Sequence, residues 1–274
     1  MTTQQEKAER FRELHHRPGT FVIPNPWDAG TARLLADMGF QALASTGAGY
    51  AYTLGRTDYG VARAQMMWHL ADLAAATDLP VSGDLENGYG DAPETAAETV
   101  RLAADAGLVG GSIEDATNRP DSPLYPVDAA ADRVRAAVEA ARGLSFPFTL
   151  TARAENFMVG VGDLADTIRR LQAYQEAGAD VLYAPALKKR EQIATVVREV
   201  DRPLNVVMGL KGAALSLADL TELGVKRVSI GSGFARAAMG AFIEAAREVR
   251  EKGTFTFAEK AISYAEIGEL LRHD

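Results

Sequence analysis

Residues 82–91, SGDLENGYGD, bring three carboxylates together in a short stretch of chain: Asp84, Glu86 and Asp91. The apolar residues LPV come directly before this segment, so the acids follow the point at which a buried strand is expected to end. Carboxylates held close together repel one another unless water or a cation compensates their charge. The segment is therefore either a solvated loop or part of a cation-binding site.

Polar side chains follow other short apolar runs in the same way. They are Ser45, Thr46 and Gly47 with Asp58 further on; Glu114 and Asp115; Arg153, Glu155 and Asn156; Tyr183; Asn205; and Ser229 and Ser232. The candidate metal ligands all offer oxygen and the chain has no cysteine, which favours Mg²⁺ or Mn²⁺ over Zn²⁺. The planar guanidinium of Arg153 suits a substrate carboxylate or phosphonate, and backbone amides at 46–48 could hold a second anionic group.

Single residues of this set also have ordinary structural interpretations. Taken alone, Asp115 is typical of a helix N-cap and Arg153 of a structural ion pair. Acids after three successive apolar runs, with an arginine after the next, favour one shared site instead. The four histidines are His15, His16, His69 and His273, and none follows an apolar run. We expect them at the surface, without a catalytic role.

The elements that must position these residues are eight short apolar, β-branched runs separated by helical stretches. The runs cover 20–24, 42–46, 79–85, 110–115, 148–153, 180–185, 204–209 and 227–232. This alternation predicts an α/β fold, a (β/α)8 TIM barrel, in which the carboxyl ends of the strands meet at one mouth. An open doubly wound sheet is the alternative, but no glycine-rich dinucleotide fingerprint follows the first run.

Length and composition set further limits. The 274 residues are read as one domain, with 246–274 a helical extension whose apolar face needs a partner protomer. The net charge of -8 argues against binding to nucleic acid or to an anionic membrane. The lack of cysteine excludes disulfides, zinc–thiolate sites and thiol nucleophiles. No signal peptide or membrane span is evident in the sequence, so we expect a cytoplasmic protein.

Four motifs resemble the isocitrate lyase / phosphoenolpyruvate mutase superfamily. They are GDLENGYGD at 83–91, SIED at 112–115, TARAEN at 151–156 and the STG–Asp pattern within 45–58, and the resemblance covers about 15–245. It implies a TIM barrel whose last helix is exchanged between protomers, in a homotetramer built as a dimer of helix-swapped dimers. It also implies Mg²⁺ (or Mn²⁺) and substrates that are small 2-oxo carboxylates, or compounds that release them, handled through a metal-stabilised enolate.

The resemblance also implies roles for individual residues. Asp84 matches the direct metal ligand and also contacts the substrate, whereas three other acids hold the metal mostly through water: Asp58, Glu86 and Glu114. Glu86 stands where many members have aspartate. With Asn205 added for its place in the seventh apolar run, the predicted substrate-binding set is Ser45, Thr46, Gly47, Asp84, Arg153 and Asn205. With Tyr50 added as a possible proton source, the predicted catalytic set is Asp58, Arg153, Tyr50 and Glu114.

The loop at 115–126, DATNRPDSPLYP, departs from the superfamily. Its lyases carry a Lys-(Lys/Arg)-Cys-Gly-His segment there, and this loop has no cysteine, histidine or lysine, which disfavours cleavage of isocitrate or methylisocitrate. The mutases and phosphonopyruvate hydrolases carry lysine and asparagine, for which only Asn118 and Arg119 could substitute. We still expect the loop to act as a lid.

Decarboxylation of a 2-oxo diacid such as oxaloacetate needs no base in that loop, because a proton must only be returned to carbon. Tyr50, Tyr183 or water could supply it. The main hypothesis is therefore Mg²⁺-dependent C–C cleavage of a small 2-oxo carboxylate, by an oxaloacetate decarboxylase-like enzyme or a 2-oxo acid lyase. The alternatives are phosphonopyruvate hydrolase or phosphonomutase-type P–C chemistry, and a non-catalytic 2-oxo acid binding protein.

Overall fold

Eight parallel strands form one sheet in the computed structural model, which describes residues 2–272. The strands are β1 Phe21–Ile23, β2 Leu43–Ala44, β3 Val81–Asp84, β4 Gly110–Glu114, β5 Thr149–Arg153, β6 Val181–Tyr183, β7 Leu204–Val207 and β8 Arg227–Ser229. Their order is β1-β8-β7-β6-β5-β4-β3-β2, and the amide of Ala44 donates to Pro24 at 3.0 Å where the two end strands meet. The predicted (β/α)8 TIM barrel is confirmed, and each predicted run contains one strand.

Helices surround the barrel between the strands. They are α1 Gln4–His16, α2 Ala29–Asp37, α3 Gly47–Thr53, α4 Arg63–Ala75, α5 Pro93–Asp105, α6 Val127–Arg142, α7 Leu164–Glu176, α8 Arg190–Glu199, α9 Leu217–Glu222, α10 Gly233–Lys252 and α11 Tyr264–Leu270, with a 3₁₀ turn at Thr256–Lys260. Helix α9 begins at a reciprocal capping box formed by Ser216 and Asp219. Gly107 follows the end of α5 with a φ of +93°, a left-handed conformation that is common after helices.

The core lies between the sheet and the apolar faces of the helices. The inner face of α5 includes Ala96, Val100 and Ala103, which are fully buried. Each fully buried valine contributes about 1.5–3 kcal/mol relative to an exposed one, so these faces fix the helices against the strands. The strand ends that carry the polar residues are fixed as a consequence.

Helix α1 covers the amino-terminal end of the barrel. Its Phe11 and Leu14 belong to an apolar cluster with Phe21, Ala42 and Val109, which lie at or just before the starts of strands. This packing also buries His15, whose ring meets Phe11 and Phe21 edge-on.

The expectation of surface histidines is therefore wrong for His15, and it is wrong for His69 as well. Each has a relative exposure of 5 %, because His15 lies on the inner face of α1 and His69 on that of α4. His16 is exposed as expected, and His273 lies outside the described residues.

The carboxyl-terminal part of the chain has little core of its own. Along α10 only Ala235 is buried, and neither the 3₁₀ turn nor α11 contains a buried residue. Phe242, Phe255 and Tyr264 are exposed. Among residues 2–272, no helix combines the length and the apolar composition that a membrane-spanning segment requires.

Candidate active site

Four of the predicted site residues are the last residues of neighbouring strands. Asp84 ends β3, Glu114 ends β4, Arg153 ends β5 and Tyr183 ends β6. The register pairs Glu114 with Arg153 and Arg153 with Tyr183. Because parallel strands bring their carboxyl ends to the same side of a barrel, residues far apart in the chain become neighbours at one mouth.

Arg153 lies at the centre of this mouth. Its Nη1 is 3.0 Å from Asp84 Oδ1, its Nη2 is 3.0 Å from Glu114 Oε2, and its Nε donates to Glu155 Oε1 at 2.9 Å. The guanidinium also lies 5.1 Å from the centre of the Tyr183 ring. Burial alone would lower the pKa of Arg153, but the surrounding carboxylates raise it well above its ordinary value. The side chain therefore remains a cation with a fixed orientation.

Three of the predicted metal ligands converge next to Gly47. A β-carbon added at Gly47 would lie 3.3 Å from Asp84 Oδ2, 3.6 Å from Glu86 Oε1 and 3.9 Å from Asp58 Oδ1. The Gly47 amide donates to Asp84 Oδ2 at 3.0 Å, and Ser45 Oγ accepts from the Asp84 amide at 2.8 Å. The turn after β2 and the end of β3 thus form one structure, in which a side chain at position 47 would lie in tight contact with Asp84 and occupy the space between the carboxylates.

The acids of this mouth outnumber its cation. Arg153 contacts Asp84, Glu114 and Glu155, and Asp58 and Glu86 lie beside Asp84 at the same mouth. Burial, followed by the charges of Asp84 and Asp58, raises the pKa of Glu86 to about 8. Burial also raises the pKa of Glu155 to about 7 and that of Glu114 well above its ordinary value, although Arg153 opposes both shifts. Without a cation these acids therefore hold protons more tightly than ordinary carboxyl groups, and a bound cation would favour their charged form.

A magnesium ion fits the donor set of this mouth. Within residues 2–272, no three acidic, histidine or cysteine side chains are arranged as a preformed metal cage. Mg²⁺ does not need one, because it retains several waters and is bound by one or two carboxylates. Asp84 could bind it directly and Glu86 and Asp58 through water, and all of these ligands are the hard oxygens that Mg²⁺ and Mn²⁺ prefer.

A cavity of about 140 Å³ opens from this mouth into the barrel. Its walls contain most of the predicted substrate-binding residues, namely Ser45, Thr46, Asp84, Arg153 and Asn205, together with Asp58 and Tyr183. A larger depression of about 670 Å³ lies at the amino-terminal end of the barrel, away from these strand ends. The smaller cavity is the candidate active site, because it alone of these two contains the convergent acids and Arg153.

Tyr50 lies outside the lining of this cavity. Its ring stacks on that of His69, with ring centres 3.7 Å apart and planes 3° from parallel. The hydroxyl of Tyr183 is better placed to reach a bound molecule, since Tyr183 lines the cavity.

Two partners of the predicted site residues had no role predicted from the sequence: Glu155, which was named only by its place after an apolar run, and Tyr59, which was not named. Glu155 follows Arg153 by two positions, is buried, and bonds its guanidinium. Tyr59 directly follows Asp58, and its hydroxyl donates to Glu114 Oε1 at 2.8 Å from a backbone with a φ of +60°. Each residue lies within two positions of a predicted site residue, and this proximity was the signal in the sequence that could have identified it. The left-handed backbone that directs Tyr59 toward Glu114 could not be predicted from its residue type.

Asp115 does not cap a helix, so that interpretation is wrong. The residue before α6 is Pro126, and Asp115 lies buried behind the mouth. Its Oδ1 accepts from the Glu155 amide at 2.8 Å, and its Oδ2 accepts from Arg170 at 3.0 Å and from the Tyr174 hydroxyl at 2.6 Å. It connects the end of β4 to the loop after β5 and to α7.

The loop at 115–126 is fastened to the acidic segment after β3. Asp91 accepts from the Tyr125 hydroxyl at 2.6 Å and from Arg119 Nη1 at 2.8 Å, and Asn87 Nδ2 donates to the Ala116 carbonyl at 3.1 Å. The candidate lid and the candidate metal-binding segment therefore support each other.

Known proteins resemble this chain in sequence and in fold. The family model for phosphoenolpyruvate phosphomutase matches residues 11–250. A protein of Burkholderia cenocepacia J2315, provisionally assigned as a lyase/mutase, is 60% identical, with a TM-score of 0.96 over 98% of this chain and 97% of that chain. Phosphonopyruvate hydrolase in complex with oxalate and Mg²⁺ is 25% identical, with a TM-score of 0.84 over 98% of this chain and 95% of that chain.

Two relatives of named activity match by sequence. The 2-methylisocitrate lyase of Bacillus subtilis is 30% identical, over 81% of this chain and 70% of the relative. The oxaloacetate decarboxylase of Pseudomonas putida is 27% identical, over 75% of this chain and 71% of the relative. The family match over most of the chain agrees with the barrel and its acidic mouth, and the chain is therefore an enzyme of the isocitrate lyase / phosphoenolpyruvate mutase superfamily.

Proposed function

We propose that this protein is a Mg²⁺-dependent enzyme that cleaves a C–C bond in a small 2-oxo carboxylate, as a decarboxylase or a lyase. The observation that carries the proposal is the mouth itself, where carboxylates converge beside Gly47 and Arg153 faces a small cavity. The relatives named above, which include a C–C lyase and a decarboxylase, support the reaction class.

Different side chains of this mouth can bind the cation and the substrate in such a reaction. When bound, Mg²⁺ supplies Lewis acidity at the 2-oxo group and stabilises the negative charge that develops as the bond breaks. Arg153 binds the substrate carboxylate beside the Ser45–Gly47 turn, where the Ser45 amide already donates to the Ser82 carbonyl and the Gly47 amide to Asp84. Arg153 must then exchange its contact with Asp84 for the substrate, which leaves Asp84 Oδ1 free to bind the cation.

Tyr183 is the candidate proton donor. Burial raises the pKa of its hydroxyl to about 12, so the group is protonated at neutral pH. The carbon that loses its bond needs one proton, and Tyr183 holds one at the wall of the cavity.

The loop at 115–126 offers no obvious proton acceptor. Asp115 is occupied by three donors, the Tyr125 hydroxyl is bound to Asp91, and Asp121 is exposed. A reaction that begins by removing a proton from a substrate hydroxyl would lack its base here. Cleavage that begins from a 2-oxo acid does not have this requirement.

P–C chemistry is the second candidate, because phosphonopyruvate hydrolase is a structural relative over almost the whole chain. Asn118 and Arg119 would have to serve that reaction. Arg119 is paired with Asp91, which counts against it.

The reaction class is tested by following oxaloacetate, phosphonopyruvate, 2-methylisocitrate and 2-oxoglutarate by NMR, with Mg²⁺ and with a chelator. We expect Mg²⁺-dependent loss of a 2-oxo diacid faster than its spontaneous decay, and loss of that activity in Asp84→Ala. Turnover of phosphonopyruvate alone would select the P–C alternative. If no compound is consumed but 2-oxo acids bind with Mg²⁺, the protein is a binding protein.

Gly47→Ala tests the metal site without relying on activity. The added methyl would occupy the space among Asp84, Glu86 and Asp58, so we expect at least tenfold weaker Mn²⁺ binding, measured by electron paramagnetic resonance. Gly240→Ala is the control, because a β-carbon there meets nothing within 4 Å. Equal Mn²⁺ affinity in both variants would show that the ion binds elsewhere.

A further inference from the structure

Arg227 is a buried cation at the floor of the candidate active-site cavity. It is the first residue of β8, beside Phe21 of β1 and Asn205 of β7, and its relative exposure is 5 %. Arg227 lines the same cavity whose mouth holds Asp84 and Arg153. The cavity therefore has a guanidinium at each end.

Arg227 has no anionic partner to neutralise it. Its Nε donates to Asn205 Oδ1 at 2.9 Å, its Nη2 to Thr151 Oγ1 at 2.9 Å and its Nη1 to His15 Nε2 at 3.2 Å. No ion pair found among residues 2–272 includes it. Buried charges in proteins are ordinarily paired, so this arrangement needs an explanation.

His15 cannot provide the missing negative charge. The carbonyl of Phe11 lies 2.8 Å from His15 Nδ1 and can only accept, whereas Arg227 can only donate to Nε2. His15 is therefore the neutral Nδ1–H tautomer. Burial lowers the pKa of Arg227 to about 10, which still leaves it protonated at neutral pH.

Other buried arginines of this chain show the contrast. Arg170 is held by Asp115 and Asp166, and Arg153 by three carboxylates. Arg133 donates to the carbonyls of a loop and does not line the cavity. Arg227 alone among these four combines uncharged partners with access to the cavity.

The cavity also limits the size of what Arg227 can hold. A volume of about 140 Å³ corresponds to about five water molecules at about 30 Å³ each, which suits an acid of four or five carbons. A guanidinium has five N–H donors, and three of those of Arg227 are used by the partners above, so it retains donors for a carboxylate.

We propose that Arg227 binds the second carboxylate of a 2-oxo diacid of four or five carbons, while Arg153 and the metal site bind its 2-oxo acid end. This inference rests on the proposed function and adds the substrate class. A guanidinium stabilises a carboxylate better than the neutral CO₂ that decarboxylation would form from it. Arg227 would therefore anchor a carboxylate that remains in the product, which favours the lyase form of the proposed function over the decarboxylase form.

The test compares two ligands of the same chain length, 2-oxoglutarate and 2-oxopentanoate, which differ in the terminal carboxylate. Dissociation constants are measured calorimetrically with Mg²⁺ for the full chain, Arg227→Gln and Arg227→Lys. We expect the unaltered protein to bind 2-oxoglutarate at least tenfold more tightly. Arg227→Gln should weaken 2-oxoglutarate at least tenfold and 2-oxopentanoate less than threefold, and Arg227→Lys should recover part of the loss.

Equal affinities of the unaltered protein for the two ligands would overturn the proposal, whether or not the variants fold. Equal losses for both ligands in Arg227→Gln would also overturn it and assign Arg227 a structural role. Oxalate contains only the metal-binding end of a 2-oxo diacid. Its binding therefore tests the metal site of the proposed function separately from the role of Arg227. If oxalate binds with Mg²⁺ but the diacid preference is absent, the metal site stands and the role of Arg227 is wrong.

Discussion

Arg153 and Arg227 are the same residue type in opposite electrostatic surroundings. Arg153 contacts three carboxylates, whereas Arg227 contacts only uncharged groups. An anionic molecule between them meets excess negative charge at the mouth and excess positive charge at the floor. A bound cation at the mouth would reduce the first of these, so metal binding and substrate binding should be mutually dependent.

Replacing single tyrosine hydroxyls tests the proton donor. Tyr183→Phe should lower kcat by about 10²–10⁴-fold with little change in KM, because the proton to be delivered would be absent while the cavity keeps its shape. Steady-state kinetics with the substrate found by NMR measures both constants.

Tyr50→Phe is the matched control, since it removes one hydroxyl from a ring that stacks on His69 outside the cavity. We expect kcat within threefold of the unaltered protein. A large loss in Tyr50→Phe together with normal activity in Tyr183→Phe would reverse the assignment.

The sequence could predict those site residues whose position follows from strand order. Asp84, Glu114 and Arg153 each end an apolar run, and parallel strands must bring such ends together. Arg227 begins its strand instead, where a charged residue is ordinarily expected to reach solvent. Its burial depends on α1 covering the barrel floor, a contact between segments about 200 residues apart that no local pattern encodes.

At the scale of elements, the acidic segment after β3 owes its shape to distant contacts. Glu86 and Tyr89 have left-handed backbone, with φ of 49° and 62°, at a cost of about 1–3 kcal/mol each. Arg133 of α6 donates to three carbonyls of this segment, those of Asn87, Gly90 and Asp91. The eight strands were predictable because their apolar runs are local signals, whereas this support from α6 was not.

Replacing Asp115 tests how strongly its hydrogen bonds hold the end of β4 to the loop after β5 and to α7. Asp115→Ala would remove one of the two carboxylates that hold Arg170, would leave the Tyr174 hydroxyl without its acceptor and would free the Glu155 amide. We expect a loss of about 3–5 kcal/mol in the free energy of unfolding, measured by urea denaturation. Asp121→Ala, an exposed position in the same loop, should change it by less than about 0.5 kcal/mol. Similar losses in both variants would show that Asp115 does not brace the barrel.

For the whole molecule, the buried histidines predict a dependence of stability on pH. Burial lowers the pKa of His15 to about 3 and that of His69 to about 4, from 6.5. Between these values and 6.5 the unfolded chain binds more protons than the native state. The free energy of unfolding should therefore fall as the pH is lowered below 6.5, by up to about 1.4 kcal/mol per pH unit for each histidine.

His69→Phe isolates one of these contributions while preserving a ring against Tyr50. The raised pKa values of Glu86 and Glu155 make the free energy of unfolding change with pH in the opposite direction. These two groups are present in both the unaltered protein and the variant, so their contribution cancels when the two are compared. Urea denaturation at pH 7 and pH 5 should show a smaller loss of stability in the variant, by about 2 kcal/mol. An identical loss in both proteins would mean that His69 is protonated in the native state.

The exposed carboxyl-terminal segment predicts an assembly. Phe242, Phe255 and Tyr264 are 72 %, 66 % and 97 % exposed, and aromatic side chains left in water at this density mark a surface that a partner covers. A second copy of the chain is the partner we expect, with 246–274 packing on its barrel. Light scattering should then give the mass of a homo-oligomer, four copies if helix-swapped dimers pair.

Phe255→Asp should shift that mass toward the monomer, because a carboxylate would be buried in an apolar interface. Lys189→Asp introduces an aspartate at an exposed site before α8 and should leave the mass unchanged. A monomeric unaltered protein would contradict the prediction, and the aromatic surface would then need a different partner. An oligomer that resists Phe255→Asp would instead place the interface elsewhere on the barrel, where Trp68 is also 75 % exposed.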